Sequence, residues 1–322
     1  MEDGGNVKCC CVIGGTGFIG SYVVRALVES GRKVMVVGRN HIPTRPLPKN
    51  VDYVAGDFGD RYFLRGVLQG VDEIIDLAYG TVPKTSYENP VQDILSNLPP
   101  AVNLFEVASG LSLDKVVIVS SGGVVYGRAN SIPIDEEQPT HPISPYGITK
   151  LAVEKYAMMF HLSQGLPVAC VRPGNAYGES QKPFIGQGFV ATVIASIVAG
   201  RDISLFGETG TVRDYIYAED IANGIVSVLT SGRAGEVYNI GSGEGRSNRD
   251  VLDAIAPLVS AEGHSLKVTV LPARSFDVPV NVLDSSKLMR ETGWKPLIPF
   301  EEGLTRTWRW FVDNPAEWNV GG

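Results

Sequence analysis

The chain has 322 residues, of which 44% are hydrophobic, enough for one large α/β unit with an attached lobe. A formal charge of -7 without a basic cluster argues against nucleic acid as the main ligand, yet leaves room for an anionic small molecule in a locally basic pocket. The acidic start Met1-Glu2-Asp3-Gly4-Gly5 lacks the features of a secretory signal, and the most apolar later stretch, Gly188 to Gly200, is too short to span a bilayer.

Near-continuous Val/Ile runs at Val7–Ile13, Lys33–Val37, Val51–Ala55, Glu73–Leu77, Lys115–Ser120 and Val168–Arg172 read as parallel strands covered on both faces. Helical patterns lie between them at Phe18–Ser30, Asp60–Gln69, Val91–Ser109 and Pro145–Gln164. This alternation predicts an α/β fold with a doubly wound parallel sheet, Rossmann-like, over residues 1–174. Residues 175–322 read mainly as a smaller C-terminal lobe, with segments near 212–242 assigned back to the first domain. Helices are expected there at Gly188–Ala199, Ala218–Leu229, Asn248–Val259 and Phe300–Phe311. Cys9, Cys10, Cys11 and Cys170 have no metal or disulfide spacing and read as small core residues in a reducing compartment, which implies the cytoplasm.

The turn Gly14-Gly15-Thr16-Gly17-Phe18-Ile19-Gly20 sits between the first strand and the first helix. The glycines at 14, 17 and 20 permit a tight turn, a close approach of backbone to pyrophosphate, and packing of helix on strand. With Phe18 and Ile19 they mark a dinucleotide site, the phosphates resting on the helix N-terminus. The second strand is followed by Gly38-Arg39-Asn40, where an NAD site usually has a carboxylate for the ribose diol. Arg39 or Arg45 would instead suit a 2′-phosphate, so NAD and NADP both stay open. Asp57, beside Phe58 after the third strand, is either an adenine contact or a cap for the next helix.

Tyr146 and Lys150 are four residues apart on one helix and therefore share a face. A phenol ionises near pH ~10, and a nearby ammonium favours the phenolate, which makes the pair a candidate proton-transfer centre. Together with Ser120-Ser121, Val125-Tyr126-Gly127 and Arg172-Pro173-Gly174-Asn175, these motifs resemble the extended short-chain dehydrogenase/reductase family. The likeness is to its NAD-dependent epimerase/dehydratase branch, in the UDP-glucose 4-epimerase-like group, and runs from Val7 to about Trp310.

That resemblance implies reversible hydride transfer at C4 of a nucleotide sugar through a 4-keto intermediate. Tyr146 would move the O4 proton, and Lys150 would also reach the nicotinamide ribose. It implies diphosphate and nucleoside contacts from Asn175, Arg213, Arg274 and Asp277, and a smaller residue at Asn281 that would admit an N-acetylated sugar. It also implies a homodimer built on the Val91–Ser109 and Pro145–Gln164 helices. Two features depart from the family. The usual Ser or Thr four positions before the Tyr of Val-Tyr-Gly is Gly122 here, leaving Ser121 as the substitute. Arg39 suits branches that reduce a 4-keto sugar with NADPH, which is the main alternative. A non-catalytic NAD(P)-binding regulator is the reading from another class.

Overall fold

The computed structural model describes residues 7–274 and 277–318. The acidic start Met1–Gly5, and Ser275 and Phe276 beside Arg274, lie outside the described residues. The first half runs β1 (Cys9–Ile13), α1 (Phe18–Glu29), β2 (Lys33–Gly38), β3 (Val51–Ala55), α2 (Arg61–Val67), β4 (Glu73–Asp76), α3 (Pro83–Glu88), α4 (Pro90–Ala108), β5 (Lys115–Val119), α5 (Gly122–Val125), α6 (Pro145–Gln164) and β6 (Val168–Pro173). The second half runs β7 (Asn175–Tyr177), α7 (Phe189–Val198), β8 (Ile203–Phe206), β9 (Val212–Tyr217), α8 (Ala218–Ser231), β10 (Val237–Ile240), β11 (Gly245–Ser247), α9 (Asn248–Ala261), β12 (Val268–Leu271), β13 (Val280–Asn281), α10 (Ser286–Thr292), α11 (Phe300–Asp313) and α12 (Pro315–Trp318).

Seven parallel strands form the central sheet in the order β10-β6-β5-β4-β1-β2-β3. One buried cluster joins α1 and α8 to the face carrying Cys10, Val12 and Val34, and another joins α4 and α6 to the face carrying Cys11, Ile13 and Ile118. Covering both faces is what lets the inner positions of the central strands be apolar on both sides. The strand order reverses between β1 and β4, and in such sheets ligands bind in the crevice beyond the carboxyl ends at that point.

The remaining chain builds a C-terminal lobe with its own core around Trp308, Phe311, Ile194 and Val251. Its sheet contains β11, β9 and β13, with β7 paired to β9. The helix that carries the candidate centre is well delimited. Ser144 caps α6 by accepting from the Gly147 N–H at 3.1 Å, Pro145 takes the first turn, and Gly165 ends it in the left-handed region at φ 71°. Among the described residues no helix is long and apolar enough to cross a membrane.

Candidate active site

Gly14 makes the turn out of β1 at φ 80°, a conformation that an L side chain rarely adopts. A Cβ on Gly20 would drive into the Gly14 carbonyl oxygen, so only glycine lets α1 begin this close to β1. The α1 N-terminus has no side-chain cap and no acidic residue in its first turn, which leaves its N–H groups for an anion. Gly20→Ala is therefore expected to lower stability by about 1–3 kcal/mol, the scale of overpacking. It should also weaken nicotinamide-nucleotide binding by about 10-fold or more, read by calorimetric titration.

The cleft beyond this turn is lined by Gly14, Thr16, Gly17, Arg39, Phe58 and Tyr79, with Asp57 in its continuation toward Pro99 and Pro100. These two prolines sit inside α4 and deprive the Leu95 and Ser96 carbonyls of their helical donors on that wall. Gly20, Phe18 and Ile19 shape the start of α1 and do not line the cleft. Arg39 has no hydrogen-bond or ion-pair partner among the described residues. Arg45 donates to the Ser180 carbonyl at 2.5 Å and to the Thr16 carbonyl. The cap of α2 is Asp60, which accepts from Tyr62 at 2.8 Å; Asp57 instead accepts from the Gly59 N–H at 2.9 Å.

Tyr146 and Lys150 stand where α6 passes the ends of β4 and β5. Lys150 is buried, its Nζ donating to the Val119 carbonyl at 2.8 Å and lying 4.1 Å above the Tyr79 ring. It is 5.9 Å from the Tyr146 ring centroid. Burial pulls Lys150 below its usual value, opposed by the charges of Asp76, Glu154 and Asp93. Burial and the Asp93 charge push the Tyr146 phenol up. The lowering expected of a close Tyr–Lys pair is thus not seen in this arrangement, because Lys150 turns toward Val119 and Tyr79. Between the two, Thr149 donates to Asp93 at 2.6 Å, and Thr81 donates to the same carboxylate, fixing this turn of α6 to α4.

At the end of β5, Ser121 precedes α5 without making a cap bond. A side chain at Gly122 would meet Leu283 at 2.6 Å and the Arg172 carbonyl at 2.9 Å, so the packing here calls for glycine. Ser121 Oγ and Asn175 Oδ1 both flank Gly123, at 3.8 and 3.4 Å from where its Cβ would be. Asn281 is fully buried on β13 with its amide donating to the Gly122 carbonyl at 3.1 Å, which ties β13 to the α5 turn.

In the lobe, Arg213 on β9 is pulled below its usual value by burial, partly offset by Tyr215 and Asp277. Arg274 is exposed and stacks 3.4 Å over the Phe206 ring, with no contact drawing it to Arg213. The sequence reading missed Arg246, which lies in register opposite Arg213 on β11 and is balanced by Glu244 and Glu301. It also missed Asp76, Tyr79, Thr16 and Asn40; the signal for Asp76 was a carboxylate directly after Ile74-Ile75, within a run expected to be a buried strand.

Residues 10–241 match the model of the NAD dependent epimerase/dehydratase family. The chain belongs to this family. It is 31% identical over 95% of its length to a dTDP-glucose 4,6-dehydratase of Streptomyces niveus, covering 94% of that protein. A structure of Thermotoga maritima UDP-glucose 4-epimerase with UDP-glucose is similar at TM-score 0.88 and 30% identity, covering 95% of this chain and 99% of that one. Thermus thermophilus UDP-glucose 4-epimerase in complex with NAD is similar at TM-score 0.86 and 33% identity, covering 94% and 98%.

Proposed function

We propose that this protein is a nucleotide-sugar 4-epimerase acting on a UDP-hexose or UDP-N-acetylhexosamine with a bound nicotinamide dinucleotide. The observation that carries the reading is that Tyr79, which lines the cleft opening from the β1–α1 glycine turn, packs against both Tyr146 and Lys150. The cofactor, when bound, supplies the acceptor and donor for the C4 hydride. The residues present fit it: the free N–H groups at the start of α1 would hold its diphosphate, and Arg39, on the cleft wall, would hold a phosphate on its adenosine half.

In this reading Tyr146 takes the O4 proton as C4 is oxidised and returns it when the turned-over keto sugar is reduced. Lys150, kept as an ammonium, stabilises the phenolate that Tyr146 passes through. Ser121 is the hydroxyl available to O4, and Asn175 stands beside it across Gly123. Arg213, Arg274 and Asp277 hold the diphosphate and nucleoside ribose in the C-terminal lobe. The test is to incubate purified protein, without added cofactor, with UDP-glucose and UDP-N-acetylglucosamine and to resolve products by chromatography. Catalytic formation of the 4-epimer supports the proposal; none from either sugar, over a range of pH, defeats it.

Arg39 favours a second reading, an NADPH-dependent reductase of a nucleotide 4-keto sugar. Its unpartnered guanidinium offers a planar fork to a 2′-phosphate. Arg39→Ala is expected to weaken NADPH binding by about 10-fold to 100-fold relative to NADH, the scale of one charge-assisted pair. Equal losses for both nucleotides would remove the 2′-phosphate role. Consumption of stoichiometric NADPH with a 4-keto sugar would select the reductase. A dehydratase is disfavoured, because Gly122-Gly123-Val124 places no acid at the end of β5.

We also propose a homodimer through α4 and α6. Val91, Ile94 and Leu95 on α4 and Ile148, Tyr156, Met159 and Leu162 on α6 are exposed, more apolar surface than one helix pair normally leaves in water. Light scattering should return twice the chain mass, and Met159→Glu should shift it toward one.

A further inference from the structure

We propose that the segment from Asp76 to Tyr79 is a positioning element for Lys150, in which Asp76 is the counter-ion that keeps the buried amine protonated and Tyr79 is the shelf on which it rests. The inference deepens the reading of Tyr146 and Lys150 as the proton-transfer centre and rests on it.

Asp76 closes β4, a central strand, and is almost fully buried. A carboxylate in such a place is costly to desolvate unless it is bonded and paired. Its Oδ1 accepts from the Ala78 N–H at 2.9 Å, a local turn that brings the chain round to Tyr79. Tyr79 then lies 4.1 Å beneath Lys150 Nζ, with its ring edge-on to Tyr146 at 4.8 Å between centroids. Asp76 is paired in register with Ile118, one residue before the Val119 carbonyl that Lys150 holds. One short segment thus meets both members of the centre.

Asp76 and Lys150 make no direct ion pair, so Asp76 acts on the amine across a short gap, as the nearby carboxylate that no other cation or hydroxyl among the described residues has taken. On α6, Glu154 is engaged by Arg172 at 2.6 Å. On α4, Asp93 is engaged by the hydroxyls of Thr81 and Thr149. On β1, Cys11 feels the Asp76 charge but offers no cation. Lys150 is the cation whose charge acts on Asp76, and Asp76 is the largest charge opposing the loss of the Lys150 proton. Burial raises Asp76 above the carboxylate range, with the Ala78 N–H and Lys150 pulling it back.

The sign follows directly. A carboxylate favours the ammonium, so deleting its charge makes Lys150 lose its proton at lower pH. The ring of Tyr79 also favours the cation, and its removal acts in the same direction by less. The ammonium is then depleted from about neutral pH upward, where Tyr146 needs it.

The test follows the isotope-labelled Nζ resonance of Lys150, assigned with Lys150→Arg, through a pH titration of the cofactor-loaded protein. In Asp76→Asn the titration should fall by about 1 pH unit or more, in Tyr79→Leu by less, while Tyr79→Phe should titrate with the parent and Asp76→Glu should recover most of the fall. The alkaline limb of kcat should move with the resonance, and KM for the sugar should not. An unmoved Lys150 titration in Asp76→Asn overturns the proposal. Should Asp76→Asn fail to fold, the Tyr79→Leu and Asp76→Glu titrations decide in its place, since an unmoved resonance in Tyr79→Leu or a fall in Asp76→Glu as large as burial alone gives is equally contrary. The resonance needs no substrate, so absence of turnover on every sugar would count against the epimerase reading and leave this result standing.

Discussion

Tyr146→Phe is expected to lower kcat by roughly 10²–10⁴-fold, the range for removing a general acid–base group, with nicotinamide-nucleotide binding retained. The substitution takes away one oxygen and keeps the ring that packs edge-on to Tyr79. The backbone N–H of Tyr146, which donates to Ser86 Oγ at 3.2 Å, is also unchanged. The Tyr146 hydroxyl has no hydrogen-bond partner among the described residues, so its loss leaves no buried group unsatisfied. Stability should accordingly hold within about 1 kcal/mol. Steady-state rates on the best nucleotide sugar, with a melting curve alongside, check this. A variant within tenfold of the parent would mean that the proton moves by another route, a role that would then pass to Ser121 as the other proposed hydroxyl.

This expectation differs from what the Tyr–Lys spacing alone implies. Spacing puts both side chains on one face, and α6 runs from Pro145 to Gln164 as the pattern predicts. Spacing does not say which way a lysine points. In the fold Lys150 is drawn to Val119 and Tyr79, partners that reach it from β5 and from the segment after β4. Such contacts depend on how strands are ordered in the sheet, and no local pattern encodes them.

The same distinction runs through the molecule. The apolar runs of β1 to β6 and the long helices announce themselves, because burial on both faces or on one stripe dictates the residue type at every step. Strand β3 has the bounds expected for it, Val51–Ala55. The lobe strands do not announce themselves. Gly245-Arg246-Ser247 is three residues long and mostly polar, so it has no period to detect, yet it sets Arg246 opposite Arg213. Nor does any local pattern show that Asn281 bonds a backbone carbonyl 159 positions away in sequence.

Glu154→Ala should carry the largest stability loss of a single substitution in the catalytic helix, about 3–5 kcal/mol, because it strands a buried guanidinium. Arg172 and Glu154 are both nearly inaccessible, with side chains 5% and 3% exposed, and three hydrogen bonds join them. Burial alone would lower the Arg172 pKa, and the bonds and charge of Glu154 more than reverse that. Removing Glu154 leaves Arg172 with the Tyr126 hydroxyl, which it reaches at 2.9 Å and which is neutral. Denaturant unfolding measures the loss, and a single variant as stable as the parent would show that the pair carries no net charge penalty. Replacing both, as Glu154→Leu with Arg172→Met, should recover most of the stability, since no charge is then left buried. Activity should not recover with it. Tyr126 bonds Asn239 at 2.8 Å, and Asn239 in turn holds the carbonyls of Ile134 and Asp284. Through Glu154 the helix that carries Tyr146 and Lys150 is tied to β6, and through Tyr126 to the turn after β5 that carries Ser121. An apolar pair can fill the volume, but it has no direction to give that turn, so kcat should stay depressed when stability has returned.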